Sequence, residues 1–327
     1  MARKIGWEDQ LGRRLKLRDL HVFSTVVQRG SMAKAAAHLG VSQPAVSEVI
    51  ADLEHELGAP LLDRSPRGVE LTTYGHALLK RTHAAFDELK QGIRDIEFLT
   101  DPTAGEVTIG CTDSVAAAVL APVFQQFFQK YPKVVLNLHR LVTATLELPE
   151  LRERSVDVVL GRVLMPLMQQ DDDLNVEILL DDRLVVSAGA QSRWARRRKI
   201  DLAELVDEPW ILTPPNGRAH ALMVEAFRAR DLDMPKVCLT TYSLHLRALM
   251  VATGPFITAL PAFTVRLDAD RMSLKALPVD LPVRSWPVAI VTLKNRTLSP
   301  VTQLFIDHVR DFTTALVAQA DSETRSA

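Results

Sequence analysis

The chain has 327 residues, 47% of them hydrophobic, and a formal net charge of -1. That length allows two or three domains with real cores, and the composition excludes a disordered chain or one that coats nucleic acid indiscriminately. No apolar run is long enough to span a bilayer, and the N-terminus MARKIGWEDQLGRRLK carries charges where a signal peptide needs its apolar core, so a cytoplasmic protein is expected.

A modest excess of Lys and Arg falls in the first quarter of the chain. Residues 1–15 read as an N-terminal extension. Its Arg13 and Arg14, with Lys16, form either a basic arm for an anionic partner or part of an unstructured leader, and the leader is the reading favoured. Over residues 16–73 the pattern is helices broken by short turns. A first helix carries Leu20, Phe23, Val26 and Val27 inward and stops at Gly30. Ser31 is placed to cap a short helix ending at Gly40, and Ser42 to cap the next, with Pro44 in its first turn. In SQPAVSEVIADLE the residues Val46, Ile50 and Leu53, with Leu57 beyond, form one buried stripe, which turns Gln43, Pro44, Ala45, Ser47 and Glu48 outward.

LLDRSPRGVELT then pairs two short apolar ends across SPRG, a ribbon turn with cations at its tip. Residues 74–104 comprise a long helix and hinge. Its stripe of Leu78, Thr82, Ala85, Leu89, Ile93 and Ile96 is too long and one-sided to be covered by the small preceding domain, so the helix is expected to dimerise. Over residues 105–320 strands and helices alternate, through EVTIG, VVLNLH, a helix near Leu146 to Arg154, VDVVLG, LVVSAG, WILTP, VCLTTY and PFITALP. That alternation predicts an α/β domain with a mostly parallel sheet, in two lobes joined by crossovers near 174–187 and 286–294. Residues 321–327 read as a flexible polar tail. The class is α+β overall.

The stretch from LRDLHVFSTVVQRG through SMAKAAAHLGVSQPAVSEVIADLE to LTTYG resembles the DNA-binding domain of LysR-type transcriptional regulators. The remainder, through IGCTDS, LAPVFQQFFQKYP, VDVVLG, LVVSAG and RALMVATGPFITALP, resembles that family's effector-binding domain. The resemblance implies a winged helix-turn-helix with a dimerisation helix, then a two-lobed unit of periplasmic-binding-protein fold. It implies double-stranded promoter DNA and a small-molecule effector as partners, a homodimer or a homotetramer built as a dimer of dimers, and leaves RNA polymerase as a candidate partner. No cofactor is expected.

In a helix-turn-helix the second helix enters the major groove N-terminus first. Gln43 can then pair with adenine, Ser47 can reach a base or a phosphate, and Pro44 and Ala45 can touch thymine methyls. The Ser42 cap and first-turn amides meet phosphate. By resemblance, Ser31 and Lys34 hold the DNA backbone from the preceding helix, and Arg64 and Arg67 hold it from the wing. Glu48 departs from the family pattern, which often has Arg or Lys there. It either accepts from a cytosine amino group or points into water.

Ligands of open α/β sheets sit at the carboxyl ends of strands. That rule selects Thr112, Asp113 and Ser114, then Thr143, then Gly161 and Arg162, and in the other lobe Thr213, Pro214, Pro215 and Asn216. The resemblance picks out Ser114, Thr143 and Arg162 for an acid effector, aromatic or sugar-derived. Asp113 opposes an anion unless paired with Arg140 or Arg162, and would otherwise suit a neutral sugar. Cys111 and Cys238 lie far apart in apolar, strand-like runs, so neither a disulfide nor a CxxC site is available. Cys111 reads as core rather than as an oxidant sensor. The histidines have no metal-ligand spacing. The rival readings are an enzyme or a solute-binding protein of two-lobed fold. No phosphate loop, dinucleotide fingerprint or nucleophile with base supports an enzyme, which would also leave the winged region unexplained, and a solute-binding protein would need an export signal that the N-terminus is not expected to supply.

Overall fold

The computed structural model describes residues 15–65, 68–141, 148–163 and 171–326. The chain divides into two units between Gly92 and Ile93, and the N-terminal extension up to residue 14 lies outside the described residues. Among the described residues no helix is long and apolar enough to cross a membrane.

The first unit opens with α1 (Leu17–Arg29), α2 (Met32–Leu39) and α3 (Gln43–Leu57). An antiparallel ribbon of β1 (Leu62–Ser65) and β2 (Gly68–Leu71) follows, then the long helix α4 (Thr73–Thr100). The spacing of Val46, Ile50 and Leu53 sets them on one face of α3, and that face packs into a core with Phe23, Val26 and Ala35. The turn between α2 and α3 is tight because Gly40 takes the left-handed conformation (φ 68°) and returns its N–H to the Ala36 carbonyl.

Glu54 of α3 pins the ribbon. Its Oε1 accepts the N–H groups of Leu61 and Leu62 at 2.8 and 3.1 Å, and its Oε2 lies 3.6 Å from the Arg64 guanidinium. At the start of α4, Gly75 lies against the ribbon's backbone: a Cβ there would stand 2.1 Å from the Leu61 oxygen. Gly75→Ala is therefore expected to cost about 1–3 kcal/mol through overpacking. A lower urea midpoint for loss of helical signal would report it, and an unchanged midpoint would mean the ribbon yields freely. Further along α4 the expected stripe splits. Leu78 is half-buried and Thr82 buried, whereas Ala85, Leu89, Ile93 and Ile96 are exposed, with Leu99 beyond them 81% exposed.

The second unit begins with β3 (Ala104–Cys111), α5 (Asp113–Val115), a π-helical turn (Ala116–Leu120), α6 (Ala121–Lys130) and β4 (Lys133–Arg140). It continues through α7 (Pro149–Arg152), β5 (Val158–Arg162), β6 (Leu174–Leu180), β7 (Leu184–Gly189), β8 (Trp210–Leu212), α8 (Arg218–Arg228), β9 (Val237–Thr240) and α9 (Leu244–Thr253). It closes with β10 (Ile257–Pro261), α10 (Ala262–Met272), β11 (Leu274–Ala276), β12 (Val288–Leu293) and α11 (Pro300–Ser326). Two five-stranded sheets result, ordered β4-β3-β5-β12-β6 and β11-β7-β10-β8-β9. Each is the centre of one lobe, with apolar clusters on its faces.

The expectation of a mostly parallel sheet is corrected: each sheet has two parallel and two antiparallel pairings. Every antiparallel pairing involves β7 or β12, the strands that follow a crossing from one lobe to the other. Both enter their sheet at the cleft end, so they run against strands whose carboxyl ends face the cleft. The crossings themselves are 181–183 and 277–287, differently placed than expected and the first much shorter, because β6 and β12 belong wholly to the first sheet. Of the helix expected near Leu146 to Arg154, residues 149–152 are helical and 142–147 lie outside the described residues. Of the residues expected to form a flexible polar tail, Asp321 to Ser326 continue α11 as helical backbone. Nothing after Pro300 interrupts it, since the sequence to Ala327 has neither Gly nor Pro. The inner turns of α11 place Val301, Phe305, Ile306 and Val309 on the first sheet, in one core with Val107, Ile109 and Phe127.

Candidate functional site

The first turn of α3 is presented openly. Ser42, Gln43, Pro44 and Ala45 are all exposed, and so is Glu48, while Ser47 is half-buried and Val46 and Ile50 hold the helix down. Ser42 caps the helix, its Oγ accepting the Ala45 N–H at 3.4 Å, and Pro44 follows within the first turn. Glu48 has no ion pair among the described residues. Ser31 stands at the N-cap position of α2 with extended backbone, but its side chain makes no capping hydrogen bond, which corrects the expected cap. Its hydroxyl and the exposed Lys34 therefore stand on the same turn of chain. Arg64 on β1 is half-exposed and shared with Glu54, and Arg67 lies outside the described residues.

The second site is the cleft between the lobes of the second unit, a cavity of about 70 Å³. From the first lobe it is lined by Thr112, Asp113 and Ser114 where β3 meets α5, by Arg140 at the end of β4, and by Arg162 at the end of β5. From the second lobe come Thr213 after β8, Gly217 and Arg218 where α8 starts, Tyr242 after β9, and Arg247 of α9; Trp286 comes from the returning crossover. The expected strand-end positions Thr112, Asp113, Ser114, Arg162 and Thr213 thus converge, with one correction. Pro214, Pro215 and Asn216 fall outside the lining, and Asn216 Oδ1 instead accepts from the Tyr242 hydroxyl at 2.8 Å. Thr143 lies outside the described residues.

The charges in the cleft sort themselves into pairs and remainders. Asp113 pairs with Arg140 at 3.1 Å, which settles its partner between the two arginines considered. Arg162 is buried and already bound: Nη2 donates to Asp182 Oδ2 and Nη1 to Ser114 Oγ, both at 2.8 Å, and its Cζ lies 5.6 Å from the centre of the Trp286 ring. Asp182 in turn accepts the N–H groups of Arg183 at 2.8 Å and Phe263 at 3.1 Å, so it joins the crossover to the first turn of α10. Ser114, far from offering a free hydroxyl, is an acceptor for Arg162.

Arg247 has no carboxylate partner among the described residues. Only 6% of it is exposed, Nη1 makes a 3.4 Å contact with the Ala259 carbonyl, and Nε has no hydrogen-bond partner among the described residues. Burial pulls its pKa down to about 10, which leaves it charged at neutral pH. Arg218, half-buried, likewise has no ion pair among the described residues. Ten buried side-chain polar atoms among the described residues lack a partner, and four of them, Arg162 Nε, Thr213 Oγ1, Arg247 Nε and Trp286 Nε1, line this cleft. Buried polar atoms are nearly always satisfied in folded proteins, so such a concentration marks a place where a ligand completes the structure.

Sequence reasoning passed over Arg247, although a signal was there. In LHLRALMVAT the buried positions are Leu244, Arg247, Ala248 and Val251, so an arginine occupies the apolar stripe of a helix. Cys111 is a core residue of β3, 1% exposed, its thiol pushed up to about 12 by burial and by the charge of Asp113, which makes it unreactive. Cys238 is exposed on β9, and neither cysteine is in a disulfide.

A reading helix with an attached wing, followed by a two-lobed unit with a polar cleft, defines a ligand-responsive DNA-binding regulator. Residues 17–76 match the model of the bacterial regulatory helix-turn-helix protein, lysR family, and residues 100–314 match that of the LysR substrate binding domain. The chain belongs to the LysR family of transcriptional regulators. It is similar to YybE of Bacillus subtilis, an uncharacterized HTH-type transcriptional regulator, at 28% identity over 290 residues, covering 89% of this chain and 96% of that one. The transcriptional dual regulator GltC of the same organism is 28% identical over 298 residues, covering 91% and 97%. Among solved structures, a full-length OxyR variant from Pseudomonas aeruginosa superposes with a TM-score of 0.65 at 22% identity, covering 90% of this chain and 95% of that one. Full-length CbnR complexed with its target DNA superposes with a TM-score of 0.61 at 21% identity, covering 91% and 99%. At those identities the likeness concerns the fold.

Proposed function

We propose that this regulator reads promoter DNA through the front of α3 and takes a small organic acid between the lobes of its second unit. The observation that carries the acid is the buried Arg247, a cation in the cleft with no counter-charge. The pairing of Asp113 with Arg140 removes the objection that favoured a neutral sugar. Thr112, Ser114 and Thr213 would supply hydroxyls and helix-start amides around the acid, and Thr143 would join them. Arg162, anchored on Asp182, would hold Ser114 in place rather than grip the acid by itself.

On DNA, Gln43 would pair with adenine, with Pro44 and Ala45 against thymine methyls and Ser47 on a base or phosphate. Ser31, Lys34, Ser42, Arg64 and Arg67 would hold the backbone, and Glu48 would face a cytosine amino group or water. The exposed apolar run of Leu89, Ile93, Ile96 and Leu99 supports a second copy of the chain along α4, and through it a dimer of dimers on the promoter. Such a protein acts in the cytoplasm and is not an enzyme.

Gln43→Ala is expected to weaken binding to the DNA upstream of the protein's own gene by about 1–3 kcal/mol while leaving binding to unrelated DNA unchanged. Footprinting across a salt series checks both, and equal affinity of variant and parent for the upstream site would remove Gln43 from the reading role. For the effector, melting in the presence of organic acids, phenolic acids and neutral sugars separates the classes, since a ligand at one hundred times its Kd adds about 2.7 kcal/mol.

A further inference from the structure

The charges that line the cleft leave a definite remainder. Asp113 neutralises Arg140, and Asp182 neutralises Arg162. Arg218 and Arg247 also line the cleft, and neither has a carboxylate among the described residues. They differ in setting. Arg247 projects from the buried stripe of α9, and among the described residues it is held by a long contact to the Ala259 carbonyl. Arg218 is the first residue of α8, an eleven-residue helix whose N-cap, Gly217, has no side chain to cap it. Gly217 and Ala219 line the cleft beside Arg218, so the uncapped start of α8 is part of the cavity wall. A buried cation with a bare Nε and a cationic helix start are two separate anion-binding elements, both in the second lobe.

We infer that the effector is a dianion, a small dicarboxylic acid or an acid of equivalent charge, with one carboxylate on Arg247 and the other at Arg218 and the first amides of α8. The inference rests on the reading of the cleft as an acid-binding site. A monocarboxylate would leave one of the two cations without a counter-charge, and burial makes that costly for Arg247 above all. The ligand therefore seats first on Arg247, and the second charge supplies discrimination rather than entry.

The test titrates the full-length protein calorimetrically with matched pairs, butyrate against succinate and hexanoate against adipate, with glucose as the neutral probe. Arg218→Ala and Arg247→Met are run beside the parent. The expected result is at least about tenfold tighter binding of one diacid than of its monoacid partner, the worth of one charge-assisted hydrogen bond. Arg218→Ala is expected to bring that diacid down to its partner's affinity and leave the monoacid unchanged. Arg247→Met is expected to abolish binding of both while melting no lower than the parent, because it removes an uncompensated buried charge. Equal affinity within both pairs, or a preference that survives Arg218→Ala, overturns the dianion and leaves the acid site standing. A response to glucose with none to any acid overturns the acid site as well.

Discussion

Asp157→Asn is expected to lower the stability of the second unit by about 3–5 kcal/mol, the usual cost of removing one partner from a buried ionic cluster. Asp157 is 3% exposed at the entry to β5. Its Oδ1 accepts from Arg94 at 2.9 Å and from Arg296 at 2.8 Å, and its Oδ2 accepts the Thr108 N–H at 2.9 Å. Arg94 belongs to the last turns of α4, Thr108 to β3, and Arg296 to the segment before α11, so one carboxylate ties four stretches of chain together. The side chains of Arg296 and Arg94 are 2% and 10% exposed. Asparagine keeps the shape and removes the charge that the two buried guanidinium groups share. The measurement is the urea midpoint of the full-length chain, with Asp101→Asn as control. Asp101 pairs with Lys133 at the surface, where water screens the pair, and its loss should leave the midpoint where it was. If the two substitutions behave alike, the cluster is not what holds these elements.

The second large effect is expected at the crossover, and it is asymmetric. Asp182→Ala should destabilise the second unit by about 3–5 kcal/mol, and by more than Arg162→Ala does. Without Asp182, Arg162 is left buried without the carboxylate that neutralises it, and the Arg183 and Phe263 amides lose their acceptor. Without Arg162, Asp182 keeps both amides. Arg162 is in the first lobe, Asp182 in the crossover and Phe263 in the second lobe, so this short chain of hydrogen bonds spans the hinge about which the lobes would close. Asp182→Ala is accordingly expected to blunt the effector's influence on the DNA footprint while leaving effector-free DNA binding intact. Thermal melting of both variants decides the asymmetry, and a larger loss for Arg162→Ala would show that the two amides do not sustain Asp182 without the arginine.

Much of the DNA-reading unit was legible because its determinants are local. The stripe of Val46, Ile50 and Leu53 and the glycine at position 40 act within a few residues, and helical periodicity reports them without knowledge of the rest of the fold. The cleft was legible in part for a general reason: chain leaving the carboxyl end of a parallel strand is the chain that meets the ligand. That rule found Thr112, Asp113, Ser114, Arg162 and Thr213. It misled at Pro214, Pro215 and Asn216, where the turn runs past the cavity and Asn216 is taken by Tyr242. The N-cap role of Ser31 failed as a hydrogen bond because position alone does not fix a rotamer.

By itself, then, the sequence determined which segments are helix or strand, which face of α3 turns outward, and that two lobes follow the long helix. These depend on side-chain periodicity and turn chemistry, which act over a few residues. Only the tertiary structure decided strand direction in β7 and β12, the partners of Arg162 and Asp113, and the isolation of Arg247. Strand direction depends on the end from which the chain enters a sheet, and a charge is paired or bare according to what distant segments bring within a few ångströms of it.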